Sequence, residues 1–259
     1  MKPDYKNWMP KGMVYGFLFA FLGCGTAAAA SSLLLNGRLK TVLTIAFAVI
    51  TVIFCALTIW SVCMYHAFDY HGTRQMSRPI IEGTAEYVKL PQGGKCLDVG
   101  CGSGALGIAV AKRNPEAEII GIDRWGKEYA SFSKKLCESN ARAEGVTNIT
   151  FRQGDATHLD FPDETFDAVV SNYVYHNIPG DRQQYLLETL RTLKKGGTFA
   201  LHDIFSRSKY GDMQAFVQKL RDMGYENVEL IGTTDGRFMT KFESVWMALR
   251  GSALLTGRK

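Results

Sequence analysis

Asp98 stands two residues ahead of the first glycine in the run Lys95-Cys96-Leu97-Asp98-Val99-Gly100-Cys101-Gly102-Ser103-Gly104-Ala105. A carboxylate followed by spaced glycines suits a ligand held against bare backbone, because with no Cβ in the way N–H groups approach closely. A negative charge at that point favours a ligand with cationic or hydroxyl groups over a bare pyrophosphate. Asp123 follows about one strand–helix–strand unit later, placed for ribose hydroxyls, and Asp155 sits in Gly154-Asp155-Ala156. The segment Asn172-Tyr173-Val174-Tyr175-His176-Asn177 and the pair His202-Asp203 carry the other candidates. His176 is suited to removing a proton, since an unperturbed imidazole titrates near pH 6.5. Tyr173 is a candidate lining residue, and one of His202 and Asp203 is placed to reach a substrate.

The acids and glycines together favour S-adenosylmethionine as the ligand. Gly102-Ser103-Gly104-Ala105-Leu106-Gly107 also satisfies G-x-G-x-x-G, so a dinucleotide is the alternative, and a purely structural turn is a third reading. Asp123 serves a ribose in either nucleotide site, and a helix cap is its structural alternative. An Asx-turn is the corresponding alternative for Asp155. A dinucleotide site requires neither Asp98 nor Gly154-Asp155-Ala156, and no Tyr-x-x-x-Lys pair of the dehydrogenase kind accompanies them.

These residues need a sheet whose strand ends line up, and the pattern supplies one. Strand signals at Lys95–Val99, Glu118–Ile122, Ile149–Gln153, Ala168–Ser171 and Thr198–His202 alternate with helix signals over 105–113, 127–144, 181–193 and 210–223. That alternation predicts an α/β sheet with ligands at the carboxyl edge. Two final strands are expected near Val228–Ile231 and Ser244–Leu249. Lys195-Gly196-Gly197 reads as the turn into the fifth strand, and Pro79 to Leu90 as a short amphipathic helix.

The 259 residues divide by composition. Met13–Leu35 and Thr41–Tyr65 carry no charge, each meets the requirement of about 20 residues for crossing a bilayer core, and the turn at 36–40 joins them. Residues 13–65 therefore read as a transmembrane hairpin, 1–12 as a cytoplasmic segment, 66–93 as a juxtamembrane linker and helix, and 94–259 as the catalytic domain. Gly16, Gly23, Gly25 and the alanines at 27–30 allow close packing against the second span or another copy of the chain. The net charge of +5 is dispersed, with no Lys/Arg block, which speaks against nucleic acid. Six cysteines form no C-x-x-C pair, so neither a zinc site nor a disulfide framework is expected.

In LDVGCGSG (97–104), Asp123, GDA (154–156), FDAVVSN (166–172) and LKKGGTFALHDI (193–204), the chain resembles class I S-adenosylmethionine-dependent methyltransferases over residues 79–250. SNYVYHNIP (171–179) is similar to membrane-attached bacterial members, and the whole pattern to the quinone-methylase group. The resemblance implies a Rossmann-like seven-stranded sheet with the last strand antiparallel. It also implies that Asp98 and the backbone at Gly100, Gly102 and Gly104 face the methionine part and that Asp155, with the Ala156 backbone, meets the adenine. By their place after Asp123, Arg124 and Trp125 are positioned to cover the adenine face, with core packing the alternative for Trp125, and Asn172, at the end of strand four, is placed near the methyl group and the substrate.

The expected activity is methyl transfer to a lipophilic or small-molecule acceptor, at the cell membrane with the catalytic domain on the cytoplasmic side, where the cofactor pool is. An NAD(P)-dependent oxidoreductase and a non-catalytic cofactor-binding membrane regulator or scaffold are the alternatives.

Overall fold

The computed structural model describes residues 2–126 and 131–259, and the chain divides into two compact units, one of residues 7–77 and one of residues 1–6 with 78–259.

The smaller unit is a helical hairpin. α1 (Lys11–Leu34) and α2 (Gly37–Phe68) are joined through Leu35 and Asn36. Both are long and apolar enough to cross a membrane, and their apolar windows are almost wholly unburied. The helices approach where side chains are small: a Cβ on Gly25 would stand 3.7 Å from the Thr51 methyl, and the Ser31 and Thr44 hydroxyls lie 2.9 Å apart. Asn7 donates to the Tyr65 carbonyl at 2.6 Å, and Trp8 packs on Phe68. The second helix begins at Gly37, so the turn expected over 36–40 is shorter than its composition suggests.

The larger unit is an α/β domain. After α3 (Ser77–Ala85) come β1 (Lys95–Val99), α4 (Ala105–Arg113), β2 (Glu118–Asp123), α5 (Lys134–Ala143), β3 (Ile149–Gln153) and β4 (Phe166–Asn172). They are followed by α6 (Arg182–Arg191), β5 (Leu193–Ile204), α7 (Arg207–Tyr210), α8 (Met213–Asp222), β6 (Glu226–Gly232), α9 (Lys241–Trp246) and β7 (Ser252–Arg258). The sheet order is β3-β2-β1-β4-β5-β7-β6, with β7 antiparallel to both neighbours and every other described pairing parallel. Leu97, Val99, Ile119 and Val169 are fully buried, as central parallel strands covered on both faces require. The chain order reverses between β1 and β4, which opens a crevice at their carboxyl ends.

Several expected bounds change. The strand expected at Ser244–Leu249 is instead helix α9 and the turn after it, and the last strand lies at Ser252–Arg258. The helix starts because the Thr240 side chain accepts from the Glu243 N–H while the Glu243 carboxylate accepts from the Thr240 N–H, a reciprocal cap that the apolar run Val245–Leu249 hides. α3 ends at Ala85, short of Leu90. The helix expected over 127–144 falls partly on residues 127–130, outside the described residues; its described part starts at Lys134, where the Ser133 hydroxyl accepts from the Leu136 N–H. The helix expected over 210–223 divides at Gly211, which has φ +70°, and Asp212 caps the second piece. Gly196-Gly197 is a bulge within β5 rather than a turn before it: Phe166 pairs with Leu193 and Ala168 with Thr198.

Candidate cofactor and acceptor site

β1 delivers the chain into the glycine loop, and β2 receives it. The Gly100 and Cys101 N–H groups both donate to the Ile122 carbonyl, at 2.8 and 2.9 Å. Gly100 has φ +72°, and a Cβ there would lie 2.3 Å from Val174 Cγ2, so the segment after β4 packs directly on the loop. Gly102, with φ +55°, is more open: the nearest atoms to an added Cβ belong to Phe132, at 3.6 Å.

Asp123 closes this loop from the end of β2. Its Oδ2 accepts from the Gly102 N–H at 2.9 Å and its Oδ1 from the Trp125 N–H at 2.7 Å. The Trp125 indole N–H donates to the Gly102 carbonyl at 3.0 Å, and the Cys137 thiol donates to the same oxygen at 3.2 Å. Trp125 achieves this with φ +44°, a conformation that costs a bulky side chain about 1–3 kcal/mol and that tends to persist at working sites. Asp123 is evident from its place in the sequence; the Cys137 thiol, on a different helix, is not.

Asp98 lies beneath the loop, 1% exposed. Its Oδ2 accepts from the Gly107 N–H at 2.8 Å, which ties β1 to α4. Burial pushes its pKa up to about 7; the Gly107 bond opposes that rise, and the Asp123 charge adds to it. Asp98 is thus a loop-holding residue as well as a buried charge, a role its position in the sequence did not reveal.

Asp155 follows β3 on an exposed turn. Its Oδ1 accepts from the Thr157 N–H at 2.8 Å and from the Thr157 hydroxyl at 2.7 Å, which holds the carboxyl below its usual range. This is the Asx-type bond weighed as its alternative role. Ala156 packs against the core, and Arg124 is exposed, with its carbonyl accepting from Gln153 Nε2 at 3.4 Å. Because β3, β2, β1 and β4 are sheet neighbours, Asp155, Asp123, the glycine loop and Asn172 follow one another along a single carboxyl edge.

Beyond β4 the groups are of a different kind. His202 is buried, and that burial lowers its pKa to about 3, so its ring is neutral. Its Nδ1–H donates to Asn172 Oδ1 at 2.8 Å, and the Thr233 hydroxyl donates to its Nε2 at 2.9 Å, the tautomer that an acceptor-only amide oxygen demands. Asn172 is thereby an orienting residue for His202. Tyr173 has φ +55°, shares a 2.7 Å hydrogen bond with the Ser252 hydroxyl, and stacks edgewise on His202 and His176. Burial raises its phenol well above the usual range, which makes Tyr173 a wall rather than a base.

His176 and Asp203 meet. His176 Nδ1 and Asp203 Oδ1 are 2.5 Å apart, with Asp203 almost wholly buried and His176 14% exposed. Asp203 is held in turn by the Ile204 N–H at 2.6 Å, and Lys209 donates to the His176 carbonyl at 2.9 Å. A carboxylate only accepts, so Nδ1 carries the hydrogen and the lone pair rests on Nε2. Among the described residues Nε2 has no hydrogen-bond partner. Of the pair His202-Asp203, then, neither side chain is open: one is locked in the core, and the other is buried against the His176 ring.

A family model described as a methyltransferase domain matches residues 90–243. A demethylmenaquinone methyltransferase of Lactobacillus johnsonii is 38% identical over 111 residues, covering 42% of this chain and 43% of that protein. A 27-O-demethylrifamycin SV methyltransferase of Amycolatopsis mediterranei is 28% identical, covering 64% of this chain and 60% of that protein. The chain thus spans about half the length of the curated relatives it matches. Among solved structures, the [4+2]-cyclase SpnF superposes with a TM-score of 0.53 at 22% identity, covering 74% of this chain and 85% of that one, a likeness of fold.

Proposed function

The chain belongs to the methyltransferase-domain family, whose methyl donor is S-adenosylmethionine, and from that premise we propose that it methylates a lipid-partitioned acceptor while anchored in a membrane. The residues present fit the cofactor. Asp123 grips the loop with both oxygens, and each carboxylate oxygen keeps a further lone pair for a ribose hydroxyl. Asp98, when ionised, would supply negative charge towards a cationic ligand, and Gly102 leaves room beside the backbone. Asp155 and the Ala156 backbone are the candidates for the adenine end, with Arg124 beside them. Once bound, the cofactor supplies a methyl group already activated for in-line displacement.

What this chain adds is position and a proton acceptor. Asp203 fixes the His176 tautomer, and His176 Nε2 takes the proton that a hydroxyl nucleophile loses as it attacks, or that a methylated ring carbon sheds afterwards. Tyr173 and the Asn172–His202–Thr233 chain hold that turn rigid. The observation that carries the acid–base reading is the His176–Asp203 pair, with its open ring nitrogen on a partly exposed turn beside the glycine loop.

Two findings support a lipid-partitioned acceptor and membrane anchoring. Almost none of the apolar side chains in the membrane-length windows of α1 and α2 are buried within the protein, as for helices surrounded by lipid. Several relatives carry the name demethylmenaquinone methyltransferase. The test is to incubate membranes and cytosol separately with methyl-labelled S-adenosylmethionine and the purified full chain. Label should enter the lipid extract of membranes and be lost with His176→Gln; label confined to water-soluble products would refute the acceptor class. Calorimetric titration with S-adenosylmethionine and with NAD checks the cofactor independently.

A further inference from the structure

We propose that the outward face of α9 is a lipid-contact surface, which seats the acceptor side of the catalytic domain on the membrane interface. The observation is an apolar face on an otherwise polar surface. Phe242, Val245 and Trp246 are 75, 62 and 44% exposed, and their spacing of three and four places them on one side of the helix. The Phe242 and Trp246 rings stack at 6.3 Å, only 9° from parallel.

The chemistry around this face selects lipid as the occupant. Tryptophan and phenylalanine beside Lys and Arg are the combination that settles at a headgroup boundary, where rings enter the acyl edge and cations meet lipid phosphates. Lys241 and Arg250 bracket the face in exposed positions. Of the acids nearby, Glu243 is turned back onto the Thr240 N–H and hydroxyl. Asp235 accepts from the Arg237 N–H, at 3.4 Å, in the preceding loop.

The placement of α9 in the chain gives the contact a purpose. The loop before it carries Thr233, which donates to His202, and Phe238, whose ring lies 5.5 Å from that of His202. The strand after it opens at Ser252, which is bonded to Tyr173. Both ends of the segment are therefore tied to the acceptor side of the site, while α9 between them turns Phe242, Val245 and Trp246 outward. A bilayer met by that middle would bring an acceptor dissolved in lipid to the His176 turn without passage through water.

The inference rests on the membrane-anchored reading above, and its test separates the two. The full chain is reconstituted into phosphatidylcholine vesicles containing a minority of phosphatidylglycerol, with and without brominated phosphatidylcholine. The emission lost in Trp246→Phe reports α9, and that lost in Trp60→Phe reports α2. Trp246 emission should be quenched by brominated lipid, and Phe242→Ser with Val245→Ser should remove most of that quenching while leaving the melting temperature unchanged. Trp60 quenched with Trp246 unquenched overturns the inference and leaves the anchor standing. If neither is quenched, both readings fall.

Discussion

Replacing Asp98 with asparagine should make the ligand-free protein more stable at pH 8 and leave it little changed, or slightly weaker, at pH 5. The wild-type carboxyl titrates at about 7 in the fold against 3.8 for the free group, chiefly because it is buried. The sign follows from proton counting. Between those two values the unfolded chain has lost the proton and the folded chain has kept it, so folded stability declines as pH rises and is lowest above 7. The interval from 3.8 to about 7 corresponds to about 4 kcal/mol. An asparagine keeps an oxygen for the Gly107 N–H but buries an amide N–H₂, at a cost of about 1–3 kcal/mol. The net gain at pH 8 is therefore about 1–3 kcal/mol. The more robust quantity is the difference between variant and wild type, which should grow by about 4 kcal/mol between pH 4 and pH 8. Asp155, Asp167 and Glu188 titrate below their usual range and weaken both proteins alike as pH falls, so they cancel in that difference. Thermal melts of the full chain in detergent, at closely spaced pH values, measure it. A difference that does not vary with pH would refute the buried-charge argument. S-adenosylmethionine should bind wild type more tightly as pH rises through about 7, because an ionised Asp98 would favour a cationic ligand, while Asp98→Asn should show a flat profile in calorimetry.

His176→Gln should lower kcat by about 10²–10⁴-fold, the range for losing a general base, with the Kd for S-adenosylmethionine unchanged; Asp203→Asn should lower kcat while leaving His176 free to adopt the wrong tautomer, seen as a changed imidazole NMR signal. Asp123→Ala should weaken cofactor binding by about 1–3 kcal/mol through the loss of charged hydrogen bonds, and an unchanged Kd would remove Asp123 from the site. Gly100→Ala should lower the melting temperature, since its Cβ would lie 2.3 Å from Val174 in a left-handed backbone, and adding Val174→Ala should restore only part, because the φ strain persists.

Much of the sheet was legible because its strands are apolar runs that end at turn residues. β1 and β3 fall at their expected bounds, β1 as a central parallel strand buried on both faces and β3 as an edge strand that alternates, with Thr150 and Arg152 turned to solvent. The carboxyl edge was legible for the same reason: once β1, β2 and β3 are placed, the residue ending each is known to lie at the ligand side. What the pattern concealed were local hydrogen bonds stronger than periodicity. The Thr240–Glu243 cap turned an apolar, strand-like run into α9, and the Gly211 and Asp212 pair divided one amphipathic helix into two. In each case a short polar side chain satisfies end N–H groups that no hydrophobic pattern records.

The proton-acceptor side was illegible for a different reason, which is register. Nothing in the sequence ties His176 to Asp203, 27 residues away. The parallel ladder does, by setting Asn172 opposite His202. Successive strand residues alternate between faces, so that pairing sends His202 into the core towards Asn172 and Thr233 and turns Asp203 to the other side. The chain leaving β4 then reverses through Tyr173, in its left-handed conformation, and brings the His176 ring down onto Asp203. A shift of one residue in the β4–β5 register would exchange the two and place a neutral buried imidazole where the carboxylate must be. The dyad is therefore a property of the strand pairing as much as of its two side chains. Its sensitivity can be measured: Asn172→Ala removes the acceptor for His202 Nδ1 and, if the argument holds, perturbs the His176 resonance though the two residues are not in hydrogen-bond contact. An unchanged His176 signal would mean that Asp203 alone holds the ring.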